Sequence, residues 1–505
     1  MAIEIVGVVG AGAMGSGIAQ AALAAGFQVI LFDQNQDAMS VVAASIMKRL
    51  ESEADKGRLD RQVASSSRDR LKLGGSLAEF RGADVVIEAI VERLDAKREL
   101  FLALEKATSE ACVLASNTSS LSIASIARGC AHRDRICGMH FFNPVPVMRL
   151  VEIVRGPDTS SETLAIAHNL ANCLGKTAID VADAPGFLVN LGGRAYVTEA
   201  LHLVQEGATD TATIDMIMRE GCGFRMGPFE LMDLTGIDVN LPVTKMIYDG
   251  YQHEPRLKTT YLHQLMVEAG RFGRKTGIGF NSYDSEAVKR SGQSIRAGGS
   301  SPFNAALKTG PRLSSALAAS GLVDSSASGV ILIEPLGEDA TSVCFREGLD
   351  PMRVVAIDAS GIDRNVLTIM APPGADQVLN DVRAWLEDGG YLVVVISDTP
   401  GFVAQRILAM IANLGCEIAQ MRLAVPDDID RAMELGLNYP EGPLALADRL
   451  GLSDVHRTLS NLQAVTGSDR YRPSLWLRQR FMLGLSAKSR FEGLTRSYVP
   501  TAPGS

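Results

Sequence analysis

The distribution of apolar and polar positions divides the chain into a stretch of alternating strands and helices, a purely helical stretch, and then a weaker version of the same pair. Ile3 to Val9 is a β-branched run long enough for a buried strand, and an Ala-rich helical segment follows it as far as Ala25. Gln28 to Phe32 is a second strand, residues 37–57 form a charged helical stretch, and Ala83 to Ile90 and Val113 to Ala115 are again strands. Ile136 to Met139 and Leu150 to Val154 are apolar runs on either side of Asn143-Pro144-Val145-Pro146, where two prolines force the chain to turn. Runs this apolar belong to strands covered on both faces, so residues 1–185 read as an α/β domain. Residues 186–285 change to helical periodicity and read as an all-helical domain. Ser, Gly and Ala dominate residues 286–325, which read as a linker.

The remainder repeats part of what precedes it at a constant offset of 215. Asp183-Ala-Pro-Gly-Phe returns as Asp398-Thr-Pro-Gly-Phe, Ile214-Asp215 as Ile429-Asp430, Gly227-Pro228 as Gly442-Pro443, Asp233 as Asp448 and Gly236 as Gly451. Residues 326–397 carry β runs at Val330 to Ile333, Val354 to Ile357 and Leu392 to Ile396, as a shrunken α/β domain would, and residues 398–505 form a second helical domain. Catalytic signals are missing from this half: it has no glycine fingerprint, its one histidine is His456, and Gln405 stands where the first copy has Asn190. Retention of packing residues alone predicts a structural role, with the two helical domains paired as a pseudo-dimer inside one chain.

Composition narrows the possible partners. With 58 acidic against 49 basic residues and no basic block, the net charge of −9 excludes a nucleic-acid or anionic-membrane binder. Seven scattered cysteines without a CxxC spacing point to a reduced, cytoplasmic compartment and to no structural metal. Ile5 to Phe32 is nearly uncharged, but it has no basic start and contains Gln20 and Gln28, so neither a signal peptide nor a membrane span is expected.

Two constellations carry chemistry. Gly10-Ala11-Gly12-Ala13-Met14-Gly15 lies between the first strand and its helix, the context a dinucleotide fingerprint requires. Gly10 allows the tight turn, Gly12 lets backbone approach a pyrophosphate, and Gly15 lets helix and strand pack closely. Asp33 ends the second strand 21 residues after Gly12, where a carboxylate accepts the adenosine ribose hydroxyls and repels a 2′-phosphate. A Rossmann domain that takes NAD is therefore predicted. The second constellation is His140 and Glu152, which the doubled-back chain can bring together. A carboxylate on one imidazole nitrogen fixes the tautomer and leaves the other nitrogen free to take a proton from a hydroxyl. Glu92 and Lys97 follow a strand at the ligand-binding edge of the sheet, as cofactor contacts or equally as solvated charges at a helix start, and Ser116 to Ser120 is a hydroxyl-rich strand end that could equally cap a helix.

Taken together the chain resembles the 3-hydroxyacyl-CoA dehydrogenases over residues 1–285. The motifs are the fingerprint, Glu88-Ala-Ile-Val-Glu92, Ser116-Asn-Thr-Ser-Ser120, His140-Phe-Phe-Asn-Pro-Val-Pro146 with Leu150-Val-Glu152, Pro185-Gly-Phe-Leu-Val-Asn190 and Gly273-Arg-Lys-Thr-Gly-Ile-Gly-Phe280. The resemblance implies that His140 is the catalytic base and Glu152 its partner, with Ser119 and Asn190 positioning the reacting oxygen. It also implies that Gly10, Gly12, Ala13, Met14, Gly15, Asp33, Glu92, Lys97, Asn117, Ser119, Asn143 and Lys275 line the NAD, while Lys56 and Ser119 meet coenzyme A. In the family the helical domain closes the cleft and carries subunit contacts, so the chain is expected to be a homodimer or its intrachain equivalent.

The long two-copy layout resembles the enzymes that oxidise 3-hydroxyadipyl-CoA in phenylacetate catabolism, with a 3-hydroxybutyryl-CoA dehydrogenase as the alternative. Readings of other kinds are a nucleotide-binding scaffold that has lost turnover and a dehydrogenase of small free hydroxy acids. The complete His140, Glu152, Ser119 and Asn190 set argues against the scaffold, and dependence of turnover on the CoA moiety separates the other.

Overall fold

The computed structural model of the chain describes residues 3–283, 303–319, 322–324 and 329–490. They form two compact units, one built chiefly of residues 1–191 and 421–437, the other of residues 192–420 and 438–489.

The first unit is built on an eight-stranded sheet. Its strands are β1 (Ile5–Val9), β2 (Gln28–Phe32), β3 (Leu71–Leu73), β4 (Val85–Glu88), β5 (Val113–Ser116), β6 (Ile136–Phe141), β7 (Leu150–Arg155) and β8 (Thr177–Ala182). Their order is β3-β2-β1-β4-β5-β6-β7-β8, so the direction of strand succession reverses between β1 and β4, the switch point where open α/β sheets bind ligands. Helices cover both faces, which is why β1, β4 and β5 are apolar almost throughout. Only the β6–β7 pair is antiparallel. The chain turns back through a cis Asn143-Pro144 bond, and the register sets His140 directly opposite Glu152. Neighbours across an antiparallel pair are about 5 Å apart at Cβ, so this register brings the two side chains together.

The helix Pro426–Leu437, from the second half of the sequence, also belongs to this unit and packs on β7 and β8. Just before it, the Leu423 carbonyl accepts the Ala182 N–H at the end of β8, 2.8 Å away.

In the second unit the helices Arg194–Gln205 and Ala404–Gln420 pack against each other. Glu199 of the first helix is fully buried between the guanidiniums of Arg406, at 2.8 Å, and Arg470, at 2.7 Å, and it accepts the Tyr471 hydroxyl at 2.9 Å. Arg406 also meets Glu206 at 2.6 Å, and Arg470 donates to the carbonyls of Arg256 and Lys258. Burial alone would raise the Glu199 carboxyl, but the two guanidiniums outweigh it and hold it well below the ordinary carboxylate range.

This unit contains a second, six-stranded sheet of order β10-β9-β11-β12-β13-β14. The strands are β9 (Phe303–Lys308), β10 (Leu322–Asp324), β11 (Ile331–Ile333), β12 (Val354–Asp358), β13 (Val366–Met370) and β14 (Leu392–Val395). As in the first sheet, one internal pair, β12–β13, is antiparallel and a parallel strand follows it.

One expectation is corrected here. Residues 303–324, assigned to the linker 286–325, form β9, the helix Pro311–Ala319 and β10, so the second α/β domain begins well before residue 326. The small-residue composition misled because alanine is the best helix former and Pro311 starts the helix, where a missing N–H costs nothing. The rest of that expected linker lies outside the described residues. The turn into each helical domain is alike in the two copies, with Gly186 and Phe187 at φ 77° and 48°, and Gly401 and Phe402 at φ 73° and 51°.

Candidate active site

The fingerprint turn can be tested residue by residue. A Cβ on Gly15 would lie 1.8 Å from the Gly10 carbonyl oxygen, and one on Gly10, whose φ is 104°, would lie 2.4 Å from the Ala89 carbonyl. The fold itself demands those two glycines. Gly12 is different: its φ is −66° and nothing of the chain lies within 4 Å of the missing Cβ. That open space suits a pyrophosphate pressed against the backbone. The helix Ala13–Ala24 that follows has no side-chain cap and no acid in its first turn, so its N-terminal N–H groups are available to an anion.

Asp33, at the end of β2, accepts the Ala11 N–H at 2.7 Å through one oxygen and the Asn35 N–H at 2.9 Å through the other. Its negative charge is thereby fixed beside the fingerprint. NAD should therefore exceed NADP in kcat/KM by about 100-fold or more, since setting like charges together costs several kcal/mol. Asp33→Ala should narrow that gap, and equal use of the two cofactors by the unaltered chain would place Asp33 elsewhere.

His140 and Glu152 are joined by a hydrogen bond of 2.5 Å from Nδ1 to Oε2, with the imidazole 5% exposed and the carboxylate fully buried. The other carboxylate oxygen accepts the backbone N–H groups of Leu188 at 3.0 Å and Val189 at 2.8 Å. The acid is thus held from two sides. Nδ1 carries the hydrogen toward Glu152, which leaves Nε2 as the basic nitrogen. Phe142 and Phe187 flank the ring, with centroids at 4.5 and 5.8 Å. Neither the two backbone donors nor Phe187 was foreseen from the sequence. Asn190 follows Val189 directly and its amide lies 3.4 Å from the Ser119 carbonyl oxygen, bringing these two expected residues together. Asn117 accepts the Phe141 N–H at 2.9 Å and so ties the end of β5 to the end of β6.

Glu92 and Lys97, expected to line the cofactor, belong to one charge network. Lys97 is only 1% exposed, and its ammonium lies 2.5 Å from Glu88 and 3.1 Å from Glu92. Glu88, fully buried, also accepts the Ser116 hydroxyl and the Ile90 N–H. Glu92 accepts Thr118 Oγ1, the Ser119 and Ser120 N–H groups and Ser120 Oγ on a single oxygen. Burial pulls the Glu92 carboxyl upward, yet Lys97 and those hydroxyls hold it below its usual value. A buried ammonium cannot stay unpaired, so these charges close on one another and fix the loop that carries Ser119. Glu88, which ends an apolar strand, is the member of this network to which the sequence reading gave no role.

Lys56 is exposed and paired with Glu53 at 3.1 Å, while Lys275 belongs to the second unit and meets Asp238 at 2.5 Å. Neither ion pair includes a dyad residue. Asn143 stands on the cis bond, and Ala13 and Met14 open the fingerprint helix. In the second α/β domain, the turn after β9 is filled by the chain's own acid, since the Gly310 N–H donates to Glu334 at 2.8 Å. Among the described residues, no group of three or more His, Cys, Asp or Glu could hold a metal ion, and no helix is long and apolar enough to cross a membrane.

Comparison with known proteins agrees with this geometry. The NAD-binding domain of 3-hydroxyacyl-CoA dehydrogenase matches residues 5–184, and the C-terminal domain of the same family matches twice, at 186–283 and 401–496. The chain is 36% identical over 482 residues, 95% of its length and 98% of the relative's, to a protein of Escherichia coli (strain K12) named 3-hydroxyadipyl-CoA dehydrogenase. It is 40% identical over 284 residues, 56% of its own length and 99% of the relative's, to a probable 3-hydroxybutyryl-CoA dehydrogenase of Bacillus subtilis (strain 168). A crystal structure of 3-hydroxybutyryl-CoA dehydrogenase from Escherichia coli K12 superposes with a TM-score of 0.84 at 35% identity, covering 96% of this chain and 99% of that one. With both domain types matched and the second found twice, the chain belongs to the 3-hydroxyacyl-CoA dehydrogenase family and is an NAD-dependent oxidoreductase of 3-hydroxyacyl-CoA thioesters.

Proposed function

We propose that His140 Nε2 takes the proton from the 3-hydroxyl of the acyl-CoA and that the substrate is 3-hydroxyadipyl-CoA. The 2.5 Å bond between His140 and a Glu152 anchored by two backbone N–H groups carries the first part of this reading. As the proton arrives the imidazole becomes a cation, and Glu152 lies in place to stabilise it without moving. Ser119 and Asn190 steady the oxygen as it becomes a carbonyl, while the Glu88–Lys97–Glu92 network keeps the Ser119 loop in position. The nicotinamide of bound NAD supplies the acceptor for the hydride leaving C3. In the opposite direction protonated His140 returns its proton to the carbonyl oxygen.

Full-length likeness to a two-copy relative named for 3-hydroxyadipyl-CoA supports the substrate; a relative and a solved structure named for the butyryl compound supply the alternative. NADH formation measured across 3-hydroxyacyl-CoA thioesters with and without an ω-carboxylate tests it. The adipyl thioester should give the highest kcat/KM, and a higher value for the butyryl thioester would replace the reading. We further propose that the paired helical domains act as an internal pseudo-dimer, for which the Glu199–Arg406–Arg470 cluster is the support, and that the enzyme works in the cytoplasm.

A further inference from the structure

The two copies exchange the same element. In the first unit the Ala182 N–H reaches the Leu423 carbonyl at 2.8 Å, and in the second the Ser397 N–H reaches the Ala208 carbonyl at 3.0 Å; each residue is offset by 215 from its mate. The helix that follows each carbonyl packs on the α/β domain of the opposite copy: Pro426–Leu437 on β7 and β8, and the stretch from Thr211 to Gly221 on β13.

Near its end each helix carries a glycine at the matched position, Gly436 and Gly221. Neither has a positive φ. Within a helix, glycine is about 1 kcal/mol less favourable than alanine, so something other than backbone freedom keeps it there. For Gly436 that reason is contact. An added Cβ would stand 3.0 Å from both γ-methyls of Val189 and 3.1 Å from a δ-methyl of Leu150. Val189 donates the 2.8 Å N–H bond to Glu152, and Leu150 lies two residues before Glu152 on β7. Both are 1% exposed, so neither can retreat into solvent. At Gly221 the nearest atom is looser, a Val366 methyl at 3.4 Å, and Thr368, which pairs with Val394 as Glu152 pairs with Ile179, occupies the position matched to Glu152.

We propose that the helix Pro426–Leu437 is a positioning element for the reacting dyad, with Gly436 as the residue that lets it seat Val189 and so fix Glu152. The second half of the chain then contributes to turnover while carrying no reacting group. This rests on the reading of His140 and Glu152 as the dyad.

The test is steady-state kinetics of three variants of the full chain. Gly436→Val should press on Val189, displace its N–H and lower kcat about tenfold or more, since sub-ångström misplacement of a reacting group is costly. KM for NAD should stay within about twofold, because the fingerprint and Asp33 belong to other elements than β7 and β8, on which this helix packs. Gly221→Val places the same side chain beside the copy without a dyad and should leave kcat unchanged. Gly436→Ala, which helix propensity favours, should keep the melting temperature and still lose about threefold in kcat. Full kcat in a folded Gly436→Val, or an equal loss in Gly221→Val, overturns the proposal. Should Gly436→Val fail to fold, full kcat in Gly436→Ala overturns it. Glu152→Gln, measured in parallel, separates the two ideas: a dead Glu152→Gln beside an unimpaired Gly436→Val refutes the positioning element alone, and an active Glu152→Gln refutes the dyad.

Discussion

Replacing His140 with glutamine should lower kcat by about 10²–10⁴-fold while NADH still binds. On the proposed reading the imidazole acts on the substrate hydroxyl, and the groups that fit the dinucleotide, Gly12, the helix N-terminus behind it and Asp33, belong to other elements. Glu152→Gln should also be severe. Its amide could still accept from Nδ1, but it carries no charge to stabilise the imidazolium, and an amide nitrogen turned toward the Leu188 and Val189 N–H groups would set donor against donor. Stopped-flow single turnovers with NADH fluorescence distinguish lost chemistry from lost binding. A chemical step within a few-fold of the unaltered rate in either variant would refute the dyad.

The next largest effect is expected at Arg406→Met, which should destabilise the chain by about 3–5 kcal/mol, because breaking a buried pair strands its partner. Glu199 is fully buried and keeps only Arg470 and the Tyr471 hydroxyl once Arg406 is gone. The sign of the pH dependence follows from the lowered Glu199 carboxyl. The unfolded chain binds a proton there before the folded chain does, so this stabilisation is complete above the ordinary carboxylate range and is lost on acidification. Urea unfolding followed by far-UV circular dichroism at neutral pH and at pH values within and below the ordinary carboxylate range measures both effects. A loss below about 1 kcal/mol at neutral pH would mean that the pairing of the helical copies does not depend on this cluster.

Much of the site was legible in the sequence because it is local. The fingerprint works through a turn, a helix start and an acid one strand away, and all three are readable in order. The His140–Glu152 pairing was legible for the same reason: the hairpin closes over few residues, and its prolines mark the turn. What sequence reasoning missed has no side-chain signature or depends on distant partners. The Leu188 and Val189 donors are backbone groups, which any residue would supply. Glu92 and Lys97 were assigned to the cofactor through the family resemblance, and their pairing was not read from the sequence because the third charge, Glu88, ends an apolar strand and is buried against Lys97, which lies between the two acids. The strand, helix and strand within residues 303–324 were hidden by a composition that suits either a linker or a short helix.

The placement of Pro426–Leu437 in the first unit also bears on the order of events during synthesis. A domain interrupted in sequence cannot be completed when its own first stretch leaves the ribosome, because a helix that covers β7 and β8 lies more than two hundred residues further along. At ordinary elongation rates that interval is roughly tens of seconds. Through it, β8 is an unguarded sheet margin, open to wrong pairing. In the proposed pseudo-dimer one polypeptide supplies both copies, and in exchange the nascent chain has to wait for its own far end.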